Sequence, residues 1–353
     1  MADWTSTMQQ TFEYYIVDPW TWKETKLLDN VTACTIERDS TAETLGSATI
    51  DVVESVGECY IRVYLVTIQN GLKEKHPLGT FLVQTPSSSF DGKIRNVSMD
   101  AYTPLLELKE NPVPLGYYIA KESNVMEESY KLLRNNSRAP VIKTRSDRTL
   151  VYDFVANTDD TWLSFINDLV MNDDYILSLD ELGQIMFKPY QSLDTMQPIW
   201  RFEDNENSIM YPEISVDRDL YGIPNVVEVI CANGDESFYS IARNDNPNSP
   251  TSTISRGREI TKRVTNPEIT GTPTQERLDD YAKRLLQELS TLEYSITYTH
   301  GYCPVTIGDC VEINYKRAGL EGIKAKVVSQ SIACTPGCPV TEKAVFTDSM
   351  WEG

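Results

Sequence analysis

Along the first hundred residues apolar and polar positions alternate with a period near two, and the same pattern returns after Pro198. The early segments read as strands: "FEYYIV", then through Asp18-Pro19 into "TWKETKLL", followed by "TACTIERD", "GSATIDVVES", "CYIRVYLVTI" and, after Gly79, "TFLVQT". In "CYIRVYLVTI" one row holds Tyr60, Arg62, Tyr64 and Val66, and the opposite row Ile61, Val63, Leu65 and Thr67. Both rows are largely apolar. That predicts burial on both faces, or a core on one face and an interface on the other. Pro112 and Pro114 close this region.

The period then shifts to 3.6. "KESNVMEESYKLLRNN" predicts a helix with Val125, Tyr130 and Leu133 on one side, and "NTDDTWLSFINDLVMN" a second with Trp162, Phe165, Ile166 and Leu169. Asp159 and Asp160 near its start suit the helix dipole. Tyr175–Leu179 and Gln184–Phe187 then pair across Asp180-Glu181-Leu182-Gly183 as a hairpin, completing a small α/β module.

Strands resume with "NVVEVICAN", "SFYSIARN", "YSITYTHG", "CVEINYK", "IKAKVVSQSIA" and "TEKAVFT". Between them "NDNPNSPTSTISRGREI" is too polar to be core. After it comes a helix opened by Thr272 as N-cap, Pro273 and Gln275, with Leu278, Tyr281, Ala282, Leu285, Leu289 and Leu292 as its apolar stripe. The expected fold class is mainly β with α+β elements. A β domain spans 1–112, a small α/β domain 113–198, and a second β domain 199–353 with an insertion at about 243–293.

Composition adds constraints. A chain of 353 residues exceeds one ordinary core. It has no run of eighteen apolar residues and no signal-peptide pattern at "MADWTSTMQQTFEYY", so a cytosolic site of folding with reduced cysteines is expected. A formal charge of −20 disfavours stable binding to nucleic acid. Acidity serves solubility, or a surface along which a polyanion slides without sticking; composition does not choose between them.

Candidate chemistry concentrates in "THGYCPVTIGDC", with His300, Cys303 and Cys310, and in "CTPGC", with Cys334 and Cys338. A zinc site wants four nitrogen or sulfur ligands from paired knuckles, and the spacing is tolerable. Period two argues against it: Ile296, Tyr298 and His300 share one strand face, and Cys303 falls on the other unless Pro304 bends the chain. A Cys334–Cys338 bridge is sterically possible but at odds with a cytosol, so the thiols read as small buried groups flanking a turn. His76 sits in "EKHPLG" ahead of a strand. No nucleophile elbow, zinc-protease or phosphate-loop motif occurs. No catalytic residue, cofactor or metal is assigned. "SRGR" sets Arg256 and Arg258 around Gly257, either a solvated turn or an arginine anchor for an acidic subunit.

An ordered set of segments resembles the baseplate hub proteins of contractile bacteriophage tails and related tail-like particles. The set is "DDTWLSFINDLVMNDDYILSLDELGQIMFKP", "YGIPNVVEVI", "NPNSPTSTISRGREI", "LDDYAKRLLQELS" and "THGYCPVTIGDCVEINY", spanning roughly residues 150 to 330. The resemblance implies a homotrimer whose chains each carry two tube-like β-barrel domains, six barrels in all, adapting a sixfold tail tube to a threefold spike. It implies the tail tube protein, the spike, other baseplate proteins and the tape-measure protein as partners. DNA would be only in transit through an acidic lumen, with no stable nucleic-acid or membrane binding. The expected place is the virion tail baseplate, assembled in the host cytoplasm. The doubly apolar strand would then face barrel core on one side and ring contact or lumen on the other. Some hubs add a cell-wall hydrolase, for which the end at "FTDSMWEG" leaves no room. Two rivals stay open: a peptidoglycan-cleaving tail enzyme using a carboxylate pair, and a receptor-binding tail component suggested by 19 tyrosines.

Overall fold

The computed structural model describes residues 2–349 apart from 55, 91, 93–94, 219–221, 234–235, 266–273 and 290. Seven strands come first: β1 Gln9–Val17, β2 Glu24–Leu28, β3 Val31–Asp39, β4 Gly46–Val52, β5 Tyr60–Gln69, β6 Leu72–Phe90 and β7 Arg95–Tyr102. A short helix, α1 Leu106–Lys109, leads into the α/β module of β8 Tyr118–Ile119, α2 Val125–Asn136, β9 Phe154–Val155, α3 Trp162–Met171, β10 Tyr175–Leu179 and β11 Ile185–Pro189. β12 Trp200–Glu203 and β13 Met210–Arg218 follow. β14 Val226–Asn233, β15 Glu236–Arg243, α4 Thr253–Arg256, β16 Thr261–Thr265 and α5 Gln275–Leu289 come next. The chain ends through β17 Thr291–Gly301, β18 Cys310–Tyr315, β19 Leu320–Ala333 and β20 Pro339–Ser349. The protein is mainly β.

Two compact units divide the chain: residues up to Ile214 with Thr297–Ala344, and Ser215–Ile296 with the residues from Val345. The larger unit is built on a predominantly antiparallel sheet of thirteen strands among the described residues, in the order β13-β17-β20-β19-β3-β4-β7-β6-β5-β1-β2, with β18 on β19 and β12 on β18. The β3–β19 pair joins the early and late strands into that one sheet, with Ile36 opposite Ile332 and Arg38 opposite Gln330. Its core shows the join. Ile36, Ile50, Ile61, Val63, Leu65 and Met99 pack in one cluster with Tyr302, Ile332, Cys338 and Val340.

β5 is buried from Tyr60 to Thr67, as its two apolar rows predict. The structure supplies the cover for its second face, and it comes from the same chain. Tyr60 packs with Val17, Leu82 and Leu106, while Arg62, nearly sealed from solvent, bonds to the β10–β11 hairpin. The expectation of a ring contact or lumen on that face is therefore corrected for these residues.

The module forms where the 3.6 period places it. Asn124 caps α2 by accepting from Glu127 N, and Thr161 and Ser164 close a reciprocal capping box on α3. β10 and β11 pair from Tyr175–Pro189 to Leu179–Ile185, across the expected turn. Val125, Leu133, Phe165, Ile166 and Leu169 fill the core between the helices.

In the smaller unit β14 pairs antiparallel with β15 and parallel with β16, a three-stranded sheet of its own. Leu278, Ala282 and Leu286 of α5 pack against Val227 and Val229. The Thr272–Pro273 start expected for α5 lies outside the described residues. The polar loop corrects the sequence reading: Asn244, Ser249, Thr251 and Ser252 are buried, not solvated. They are tolerated because they satisfy one another. Asn244 Nδ2 donates to Ser249 Oγ at 3.0 Å, and the Ser249 and Thr251 hydroxyls lie 3.1 Å apart.

Candidate functional site

Pro77 sits inside β6, where it has no amide hydrogen for the ladder. The register with β5 shifts there: Tyr64 faces Pro77 but Val63 faces Gly79, leaving Leu78 as an extra residue. Its carbonyl is taken up by Arg38 Nη2 at 2.7 Å. Arg38 Nη1 donates to Gln330 Oε1 at 2.9 Å, across the β3–β19 seam. Gln330 Nε2 donates to Val305 O at 2.9 Å and to Glu342 Oε1. Tyr298 donates its hydroxyl to Glu342 Oε2 at 2.6 Å. His300 Nε2 lies 3.3 Å from Glu342 Oε1, off the line of a good hydrogen bond. The ring of Phe202 tilts over His300 at 4.7 Å. Both His300 and Glu342 have zero exposed surface.

This network contains the first half of "THGYCPVTIGDC". The sequence reading put His300 and Cys303 on opposite faces, and the structure brings them together at 3.8 Å. The strand period ends at Gly301, and the chain then turns so that Cys303 folds back toward the ring. The bend runs through Pro304, where Val305 N donates to Cys303 O at 2.8 Å.

Proximity does not make these groups a catalytic pair. His300 Nδ1 faces Gly301 O at 2.6 Å, so that nitrogen carries a proton and cannot accept one from the thiol. Burial pushes the Cys303 thiol well up, and the Glu342 charge adds to the effect. Burial alone would raise Glu342 as well. The nearby His300 and the hydrogen bonds from Tyr298 and Gln330 outweigh it, and Glu342 titrates below its ordinary range. A sealed carboxylate held ionised by donors from β17 and β19 fastens β20 to its two neighbours.

The remaining thiols are placed clearly. All seven cysteines are free. Cys310 and Cys338 are fully buried, and Cys334 flanks the "TPG" turn, where Gly337 and Cys338 adopt positive φ. Cys334 lies beside Cys34, donating its amide to the Cys34 carbonyl at 3.0 Å. No trio of His, Cys, Asp or Glu converges as a metal site among the described residues. His76 contacts Thr67 Oγ1 at 3.0 Å and stacks edge-on with Trp4.

Arg256 ends α4, where Gly257 in the left-handed region stops the helix. It is half-buried, with Nη1 on Ile223 O at 3.1 Å, and burial together with the Arg258 charge lowers its pKa. Arg258 is exposed. Its carbonyl accepts from the buried Asn225 at 3.0 Å.

Sequence reasoning missed two groups. Glu342 keeps the parity of Val340 and Ala344 on the buried face of β20; a carboxylate at a core position was its signal. The other is the Leu182 carbonyl at the tip of the β10–β11 hairpin. It accepts from Trp22 Nε1 at 2.9 Å, Thr80 Oγ1 at 2.9 Å and Arg62 Nη2 at 3.1 Å. No side-chain pattern could announce a backbone oxygen.

No protein-family model matches the chain, and no curated protein matches it in sequence. Solved structures do match its fold. The tail protein from Neisseria meningitidis MC58 aligns over 96% of this chain and 97% of its own with a TM-score of 0.64, at 11% identity. The 43 kDa tail protein of prophage MuSo2 from Shewanella oneidensis aligns over 95% of this chain and 98% of its own with a TM-score of 0.62, at 10% identity. The chain has the fold of these tail proteins. At that identity the likeness is one of fold.

Proposed function

We propose that the protein is a structural component of a phage tail baseplate, and within it the hub. Three copies form a ring that adapts the sixfold tail tube to the threefold spike and lines part of the channel for DNA and the tape-measure protein. Each chain contributes two tube-like β-barrel domains to that ring. The observation that carries this reading is the end-to-end correspondence of fold with two tail proteins, which leaves almost no part of either chain unmatched. The ordered segments quoted above and the −20 charge support it, since an acidic wall lets DNA pass without adhering. The polar networks in both β regions are structural on this account, and the protein catalyses no reaction. Arg256 and Arg258 mark a contact with an acidic subunit; Arg258, exposed at the end of α4, is the arm that reaches it.

Light scattering on the purified chain at micromolar concentration tests the ring. A mass three times that of the chain is expected, and a monomer at every concentration would contradict it. Clearing of cell-wall suspensions by the protein would favour the enzyme reading instead.

A further inference from the structure

The α/β module carries two segments of opposite charge that do not neutralise each other. Residues 131–148 hold six cations, Lys131, Arg134, Arg138, Lys143, Arg145 and Arg148, against the single carboxylate of Asp147. Residues 153–181 hold eight carboxylates and no cation. In a chain where acids outnumber bases by 52 to 32, such a basic run is unexpected on composition alone.

The cations line one strip. After α2 the chain doubles back along the helix: Lys143 Nζ sits 5.4 Å from the Tyr130 ring, Ser146 O accepts from Asn124 Nδ2, and Arg148 O accepts from Val125 N. Arg134 and Arg138 thus mark one end of the helix and Arg148 the other, about 18 Å away. Lys131 pairs with Glu128, and Arg138 with Glu107. Arg134, Arg145 and Arg148 are exposed, and none has an ion pair among the described residues. A groove of about 930 Å³ opens beside Arg134 and Arg138, lined also by Trp162 and by Trp20, which is 81% exposed. Beyond the strip stand Leu115, Tyr118, Val151, Tyr152 and Val155, all largely exposed.

The acids follow α3, a helix about 15 Å long. Asp159 and Asp160 precede it, Asp168 lies on it, and Asp173 and Asp174 follow it. Asp159, Asp168 and Asp174 are exposed, and none of the eight carboxylates has an ion pair among the described residues. Asp173 Oδ2 is buried without a hydrogen-bond partner. Met171 stands exposed beside them.

We propose that this module joins one copy of the chain to the next, the cationic strip along α2 seating on the carboxylate-rich α3 of a second copy. The two surfaces are of similar length and opposite sign, with exposed apolar side chains beyond the cationic strip and Met171 beside the carboxylates. Charge sets the orientation and the apolar groups supply the buried area. Contact of one surface with a different surface on the neighbour is head-to-tail, the kind that closes into rings. The mixed aromatic and aliphatic surround and the charge of the whole chain favour a protein over a nucleic acid as occupant. The inference rests on the proposed self-assembly and adds the surfaces that would make it.

Sedimentation at low and high salt tests it with two variants, Arg134→Glu/Arg145→Glu/Arg148→Glu and Asp159→Lys/Asp168→Lys. Each alone should associate at least about tenfold more weakly than wild type at low salt. An equimolar mixture should regain association, because two of the three junctions in a mixed trimer again meet an opposite charge, a rescue that a misfolded variant would not give. Wild-type assembly with undiminished association of either variant would overturn the interface and leave the ring standing. A wild type monomeric under all conditions would overturn both. Loss of oligonucleotide retention in the arginine variant, with assembly intact, would assign the strip to a polyanion and overturn the proposal.

Discussion

Glu342 is the residue that ties β20 to its neighbours β17 and β19. It sits at a core position of β20 and accepts from Tyr298 and Gln330 with His300 alongside. Glu342→Gln would keep the volume but aim an amide donor at groups that already donate, and would take the carboxylate away from His300. The expected loss is about 3–5 kcal/mol, read as a lower urea midpoint at neutral pH. Because the folded protein holds this carboxyl below its ordinary range, its contribution is present above the unfolded value near 4.5 and disappears as pH falls through the folded value. The difference between wild type and Glu342→Gln should therefore shrink on acidification below that range. An undiminished difference in acid would remove the ionised form from the account. The arginines of "SRGR" separate in the same assay. Arg256→Ala, which loses the bond to Ile223 O, should cost about 1–3 kcal/mol. Arg258→Glu should stay within about 0.5 kcal/mol of wild type in stability and weaken only assembly, measured by light scattering. At this scale the sequence was partly legible. It identified Cys334 and Cys338 as small buried groups flanking a turn but misplaced Cys303, since alternation holds only while the chain remains a strand, and that ends at Gly301.

Elements were legible where one period ran long enough. α2, α3 and the β10–β11 hairpin lie where their spacing put them, because their caps and turn residues agree with their apolar rows. The polar loop after β15 was not legible as core: polar side chains that satisfy one another leave no apolar signature. Neither was the docking of the hairpin tip on β5 and β6, which depends on one carbonyl meeting Trp22, Arg62 and Thr80. Gly183 makes that approach possible. Its φ is +75°, and a Cβ there would come within 2.7 Å of Thr80 Cβ and 3.3 Å of Trp22. Gly183→Ala should lower stability by about 1–3 kcal/mol and shift Trp22 emission as the tip lifts away, while far-ultraviolet dichroism keeps its native shape. Unchanged emission and midpoint would show that the latch contributes nothing.

At the scale of the molecule, the alternation of strands, module and strands announced a mainly β protein, but not that β3 and β19 would join early and late strands into one sheet. Pairings between residues nearly three hundred positions apart leave no local trace in a single sequence. The likeness of fold to two tail proteins extends over nearly the whole chain, and with the acidity it supports the hub reading. Position in the particle is what that reading commits to. Electron-microscopic reconstruction of tail particles carrying a tag on this chain measures it directly. The account predicts a threefold ring of tagged density on the tail axis, between tube and spike, and tagged density at the periphery would contradict it.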